Sequence, residues 1–195
     1  AQAVLGILGE IMLYKDDERS FEKKSSVLEL YTSWFPPPGV EKPELFHDNR
    51  ENTLDRHIHI IVDQCCTVIE CAASITSSGT SQNRPYAQAL GLLRVLVRTS
   101  QMQKLDFKKN YRRILAAAIT LIEQKDNFST MWSTQYITPV TRLFYEILVL
   151  AKCVDIDVWD FIYSNAPTLL DSKSSIKAWG DVMVPITKCM LDQAC

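Results

Sequence analysis

Four side chains with metal-binding and acid–base chemistry recur at helical spacing in one stretch of this 195-residue chain: His59, Asp63, Cys66 and Glu70. Steps of four, three and four place all of them on one face of a helix. Imidazole, carboxylate and thiolate are all zinc ligands, and an i, i+4 pair can reach a single ion. A zinc site needs a second ligand pair at fixed spacing, however, and none follows, while His57 points to a different face. The four residues are therefore read as a solvated polar face beside an apolar stripe, with no metal expected.

Nucleophilic chemistry has less to build on. The chain has six cysteines (65, 66, 71, 153, 189 and 195) and three histidines (47, 57 and 59). None sits in a GxSxG, HExxH or glycine-rich phosphate-loop setting. Six glycines in all are few for a backbone-lined phosphate site. Asp155 and Asp157 form a carboxylate pair, but acidic residues at a helix start complement the macrodipole without any catalysis. Asn127-Phe128-Ser129 fits the N-glycosylation pattern and is read as a chance match. The expectation is a non-enzymatic chain with no catalytic residue and no cofactor.

Charge supplies the strongest surface signal. The formal net charge is only -2, which argues against nucleic-acid binding along the whole chain. The distribution is uneven: residues 1–63 carry twelve acidic and seven basic side chains. Seven basic residues then cluster as Arg94, Arg98, Lys104, Lys108, Lys109, Arg112 and Arg113, against the single Asp106. Lys104, Lys108 and Arg112 fall at i, i+4 and i+8, one row along a helix, and Lys109 and Arg113 form the neighbouring row. Such rows suit an acidic segment of a protein partner carrying one or two apolar anchors, or, alternatively, the phosphates of a nucleic acid. Tyr111 is the one aromatic among them, so base stacking is poorly supported. The bland alternative is a solvated face balanced by the acidic N-terminal part.

These residues need a scaffold, and the periodicity says which kind. Residues 53–76 carry Leu54, Ile58, Ile61, Cys65, Val68, Ala72 and Ile75 at alternating spacings of three and four, a continuous apolar stripe on a long helix. A first helix is expected over 1–14 with Val4, Leu8 and Ile11 inward, joined by Leu5 and Met12 on the same side. The charged KDDERSFEKK stretch leads to a second, through Val27, Leu28, Tyr31, Trp34 and Phe35, stopped by Pro36-Pro37-Pro38-Gly39. A proline-bounded polar loop fills 36–52, with Val40, Leu45 and Phe46 as apolar anchors that cover the helical stack or dock a partner. Pro85 opens a fourth helix, a fifth runs from Leu105 or Asp106 to Gln124, and Pro139 opens a sixth. A seventh holds Val158, Trp159 and Ile162. The last carries Ile176, Trp179 and Met183 inward and is expected to kink or restart at Pro185. No stretch alternates long enough to predict a strand.

Hydrophobic residues at 47% and charged residues at 23% are ordinary for a globular domain. Three of the six cysteines share one helix, unlike a disulfide framework, so buried free thiols in a reducing compartment are expected. No apolar run is long enough to span a membrane, and the expected location is intracellular, nuclear or cytoplasmic. The opening AQAVLGILGEI, already in helical phase and without Met, reads as the start of a fragment of a larger protein.

Two-helix units starting near Leu54, Asp106 and Asp155 recur about fifty residues apart. Over residues 53–195 this helix-pair pattern resembles the armadillo/HEAT-like helical-repeat superfamily. The resemblance implies paired antiparallel helices stacked in two layers and a scaffold or adaptor role in an intracellular complex, binding a peptide or helix of a partner. The sequence-level expectation is thus one all-α domain over 1–195, either an irregular repeat or a helical bundle. It has N-terminal helices in 1–35, the proline-rich loop at 36–52 and a helical core at 53–195, with 53–76, 105–124 and 139–152 innermost. The partner-binding residues are expected in the basic rows at 94–113.

Overall fold

A computed structural model describes residues 2–13, 18–35, 51–72, 83–103, 108–123, 138–150, 156–170 and 173–194. The loop at 36–50, Lys104, Asn127–Ser129, Trp132 and Asp155 lie outside the described residues. Nine helices are present among those described: α1 (Gln2–Met12), α2 (Glu18–Trp34), α3 (Glu51–Ala72), α4 (Asn83–Gln103), α5 (Lys108–Glu123), α6 (Thr138–Leu150), α7 (Ile156–Ser164), α8 (Ala166–Leu170) and α9 (Lys173–Ala194). No strand occurs among the described residues, and the protein is all-α, built by packing helix on helix.

The chain divides into two compact units, Ala1–Ala117 and Ala118–Cys195. In the first, α3 packs on α4, α4 on α2, and α1 on both α2 and α3. The stripe expected on α3 is the centre of this core. Ile58, Ile61, Val62, Cys65, Cys66 and Ile69 are all buried, because apolar residues at steps of three and four stay on one side of a helix. Leu92, Leu93 and Leu96 of α4 and Leu28 and Tyr31 of α2 are equally buried. At the rim Arg84 of α4 pairs with Glu29 of α2, and Gln88 Nε2 donates to the same carboxylate at 3.0 Å.

Residues 18–24 of the charged lead-in to α2 prove to be its first two turns, and 15–17 lie outside the described residues. Ser20, Phe21, Lys24, Ser25 and Leu28 fall inward, again at helical steps. Lys24 is almost fully buried, with its ammonium 6.0 Å from the centre of the Phe21 ring. A long methylene stem lets a lysine line a core while its charge finds a polarisable surface.

Two helices bury only part of their expected faces. Of the residues expected inward on α1, Leu5 and Met12 are buried together with Gly9, whereas Leu8 and Ile11 are half-buried and Val4 is exposed. The reason is steric. The side chain of Gln64 occupies the space over Gly9, where an added Cβ would lie 2.5 Å from Gln64 Nε2. Gly9 thus leaves room for the Gln64 side chain to lie against α1, where its Nε2 reaches the Leu5 carbonyl, and the Gly9 stripe faces inward although it is the less apolar of the two.

In the second unit α6 packs along α9, α8 on α9 and α7 on α8. Val140, Leu143, Phe144 and Ile147 of α6 are buried, and the Phe144 and Tyr145 rings meet edge-on at 5.4 Å. On α9 the buried positions are Ala178 and Val182, whereas Ile176 and Trp179 are about half exposed. A small residue at 178 suits a close helix–helix approach that an indole would block, which turns the larger apolar residues outward. The expected restart at Pro185 does not occur, since α9 runs through it. Proline removes one donor from the ladder, and here Pro185 and Asp181, whose carbonyl loses its partner, are both exposed to water.

Candidate functional site

The four-residue face of α3 is engaged from within the chain. Helix α5 crosses it and presents Asn110 and Arg113. The His59 Nδ1–H donates to Asn110 Oδ1 at 2.7 Å. Arg113 grips Glu70 in a fork, Nη1 to Oε1 at 2.5 Å and Nη2 to Oε2 at 2.9 Å, while its Nε donates to Asp63 Oδ1 at 2.7 Å. Bidentate guanidinium–carboxylate pairs are among the stronger polar contacts because both parallel bonds are charge-assisted. The two hydrogen bonds that Arg113 donates to Glu70 hold its guanidinium above its ordinary pKa.

Cys66 lies buried beneath this clamp. Burial pushes its thiol up to about 12; Arg113 draws it down, and Glu70 and Asp63 push it further up. Cys65, fully buried beside it, is likewise raised by burial. Thiols held protonated are poor nucleophiles and poor metal ligands. Cys65, Cys66 and Cys71 are free, and no group of three potential metal ligands forms among the described residues. What the arrangement can do is tie α3 to α5.

A second polar contact sits on the opposite flank of α3. The Tyr31 hydroxyl donates to Gln64 Oε1 at 2.5 Å, and Gln64 Nε2 donates to the Leu5 carbonyl at 3.2 Å. One side chain of α3 thereby joins α1 and α2. Tyr31 is buried, and burial raises its pKa above the ordinary phenol value, with a further push from Cys65. Sequence reasoning passed over Gln64. The available signal was a lone amide inside an apolar stripe, four residues before Val68 and three after Ile61.

The basic rows are only partly the surface they promised. Arg113 is spent on the intrachain clamp. Arg94 is half-buried in α4 and already engaged within the chain. Arg112 is exposed. Arg98, Lys108 and Lys109 are helical in backbone, and their side chains, like the whole of Lys104, lie outside the described residues.

The larger feature is a groove between α1 and α2, of about 660 Å3. Leu8 and Ile11 form one wall and Val27 and Leu30 the other, with Glu22, Lys23 and Ser26 along the α2 side. It follows from the seating of α1, which leaves Leu8 and Ile11 facing this opening. Val4, Ile7 and Leu30 are exposed beside or within it. The signal was present in the sequence: QAVLGILGEIM carries apolar residues on more than one stripe, so burying one leaves another uncovered.

No helix among the described residues is long and apolar enough to cross a membrane. The chain matches no protein-family model, no curated protein and no solved structure.

Proposed function

We propose that this chain is a non-enzymatic interaction module, an irregular armadillo/HEAT-like scaffold within an intracellular complex, which receives a helix of a protein partner in the α1–α2 groove. The observation that carries this reading is the groove itself. Leu8 and Ile11 on α1 and Val27 and Leu30 on α2 line it at the i, i+3 ridge spacing into which a third helix packs. An amphipathic helix laid into such a groove uses anchors at i, i+3, i+4 and i+7. Each Leu or Ile brought from half-exposed to buried contributes on the order of 1 kcal/mol, so three or four anchors on this side of the contact supply about 3–4 kcal/mol, a millimolar affinity by themselves. The partner's own buried anchors add to it.

The exposed Arg112 supports the basic start of α5 as an accessory surface for an acidic segment flanking those anchors, gaining on-rate from charge. It equally supports the alternative of phosphate or nucleic-acid binding, from which salt dependence separates it.

The test is affinity capture from cell extract with and without nuclease treatment, comparing the native chain with Leu30→Glu. Leu30 is partly exposed, so the substitution should leave the melting temperature within a few degrees while abolishing capture of the partner. Capture that survives Leu30→Glu but is lost on nuclease treatment would replace this reading with the nucleic-acid one.

A further inference from the structure

We infer that the groove takes helix α9 of a second copy of this chain, an inference that rests on reading the groove as a docking site. Helix α9 turns Ala178 and Val182 into its own unit and leaves Ile176, Trp179 and Met183 on a separate face. Those three stand at i, i+3 and i+7, the anchor spacing of a helix in a groove. They lie roughly a third of a turn from the buried face, from the 100° advance per residue. Ile176 and Trp179 are 53% and 50% exposed. Gly180 continues the same face, and a Cβ added there would meet nothing within 4 Å, so the backbone of α9 is open to close approach.

Charge is arranged to match. Lys173 and Lys177 are exposed along one border of the apolar face. On the α2 side of the groove Glu22 is exposed, while Lys23 is already engaged within the chain. A helix seated with its lysine border toward Glu22 pairs opposite charges at the rim and leaves the floor to Leu8, Ile11 and Val27. One chain therefore carries both halves of the contact. Two copies that exchange helices make it twice about a two-fold axis; copies related otherwise make it head to tail.

The full chain is followed by sedimentation velocity and light scattering from low micromolar to several hundred micromolar. The native chain should self-associate with rising concentration, and Leu30→Glu and Trp179→Glu should each stay monomeric with unchanged melting. Mixing the two variants should restore a pair, because the first retains an intact α9 and the second an intact groove. A contact of groove with groove, or of α9 with α9, cannot be rescued in this way. Should either variant melt early, Leu8→Glu and Ile176→Glu probe the same two faces. A native chain that is monomeric throughout, variants that associate like the native chain, or a mixture that stays monomeric would overturn the inference. A monomeric native chain that still captures a partner through Leu30 would sink the second copy alone and leave the docking reading intact.

Discussion

Replacing Gly9 by alanine tests the packing of α1 most directly, because two opposing terms are both readable from the structure. Alanine is favoured over glycine in a helix interior by about 1 kcal/mol. At position 6 of the same helix nothing lies within 4 Å of the added Cβ, so Gly6→Ala should deliver most of that gain. At position 9 the added Cβ would stand 2.5 Å from Gln64 Nε2. Gln64 is flexible enough to swing away, but doing so gives up its bond to the Leu5 carbonyl and strands the Tyr31 hydroxyl. An unsatisfied buried hydroxyl costs about 1–3 kcal/mol, and the second lost bond about 1 kcal/mol more. The net expectation for Gly9→Ala is a destabilisation of about 1–3 kcal/mol, or several degrees in melting temperature for a chain of this size. Urea denaturation of the native chain, both single variants and Gly9→Ala in a Gln64→Ala background reads it. In that background the clash is gone, and the alanine should become stabilising. If Gly9→Ala and Gly6→Ala stabilise alike in the native background, the account of why α1 turns its Gly9 stripe inward is wrong.

The two neighbouring arginines of α5 should part company on substitution. Arg113→Ala removes three charge-assisted bonds from half-buried Glu70 and exposed Asp63 and should cost about 1–2 kcal/mol after allowing for solvent screening. Arg112→Glu, at an exposed position, should leave thermal unfolding essentially unchanged; equal losses would mean that the clamp does not distinguish them. Alkaline pH should weaken the fold through its buried thiols. The Cys66 thiol keeps its proton to about 12 in the folded chain against an ordinary 9.0, so its contribution is complete below about 9 and is lost as pH rises toward 12. The limiting slope is about 1.4 kcal/mol per pH unit for each such group, and Cys65 and Tyr31 shift in the same direction. Urea titrations between pH 8 and 10.5, chosen as roughly the accessible span of that window, should therefore show a shallower decline for Cys66→Ala than for the native chain. An unchanged slope would place the Cys66 thiol in contact with water.

The sequence by itself determined the class of fold and the place of the longer helices, because both follow from local rules. Apolar residues at steps of three and four can form one stripe only on a helix, and the α3 stripe from Ile58 to Ile69 is buried as its spacing requires. The same rule placed His59, Asp63, Cys66 and Glu70 on one face. It could not say what crosses that face, since Arg113 stands 43 residues beyond Glu70 and a clamp, a metal site and a solvated surface share the same spacing. Nor could it choose between adjacent stripes on one helix. On α1 both the Val4–Leu8–Ile11 and the Leu5–Met12 positions looked inward, and on α9 Ile176 and Trp179 did, yet the tertiary structure buries Leu5, Gly9, Met12 and Ala178 and leaves Val4, Ile176 and Trp179 exposed. Hydrophobic burial favours either choice by similar amounts, whereas steric fit does not. A helix can come close to its neighbour only along residues small enough to let it, and the neighbour's side chains, Gln64 against Gly9 above all, belong to distant parts of the chain. That discrimination opened the α1–α2 groove, and no local pattern contains it.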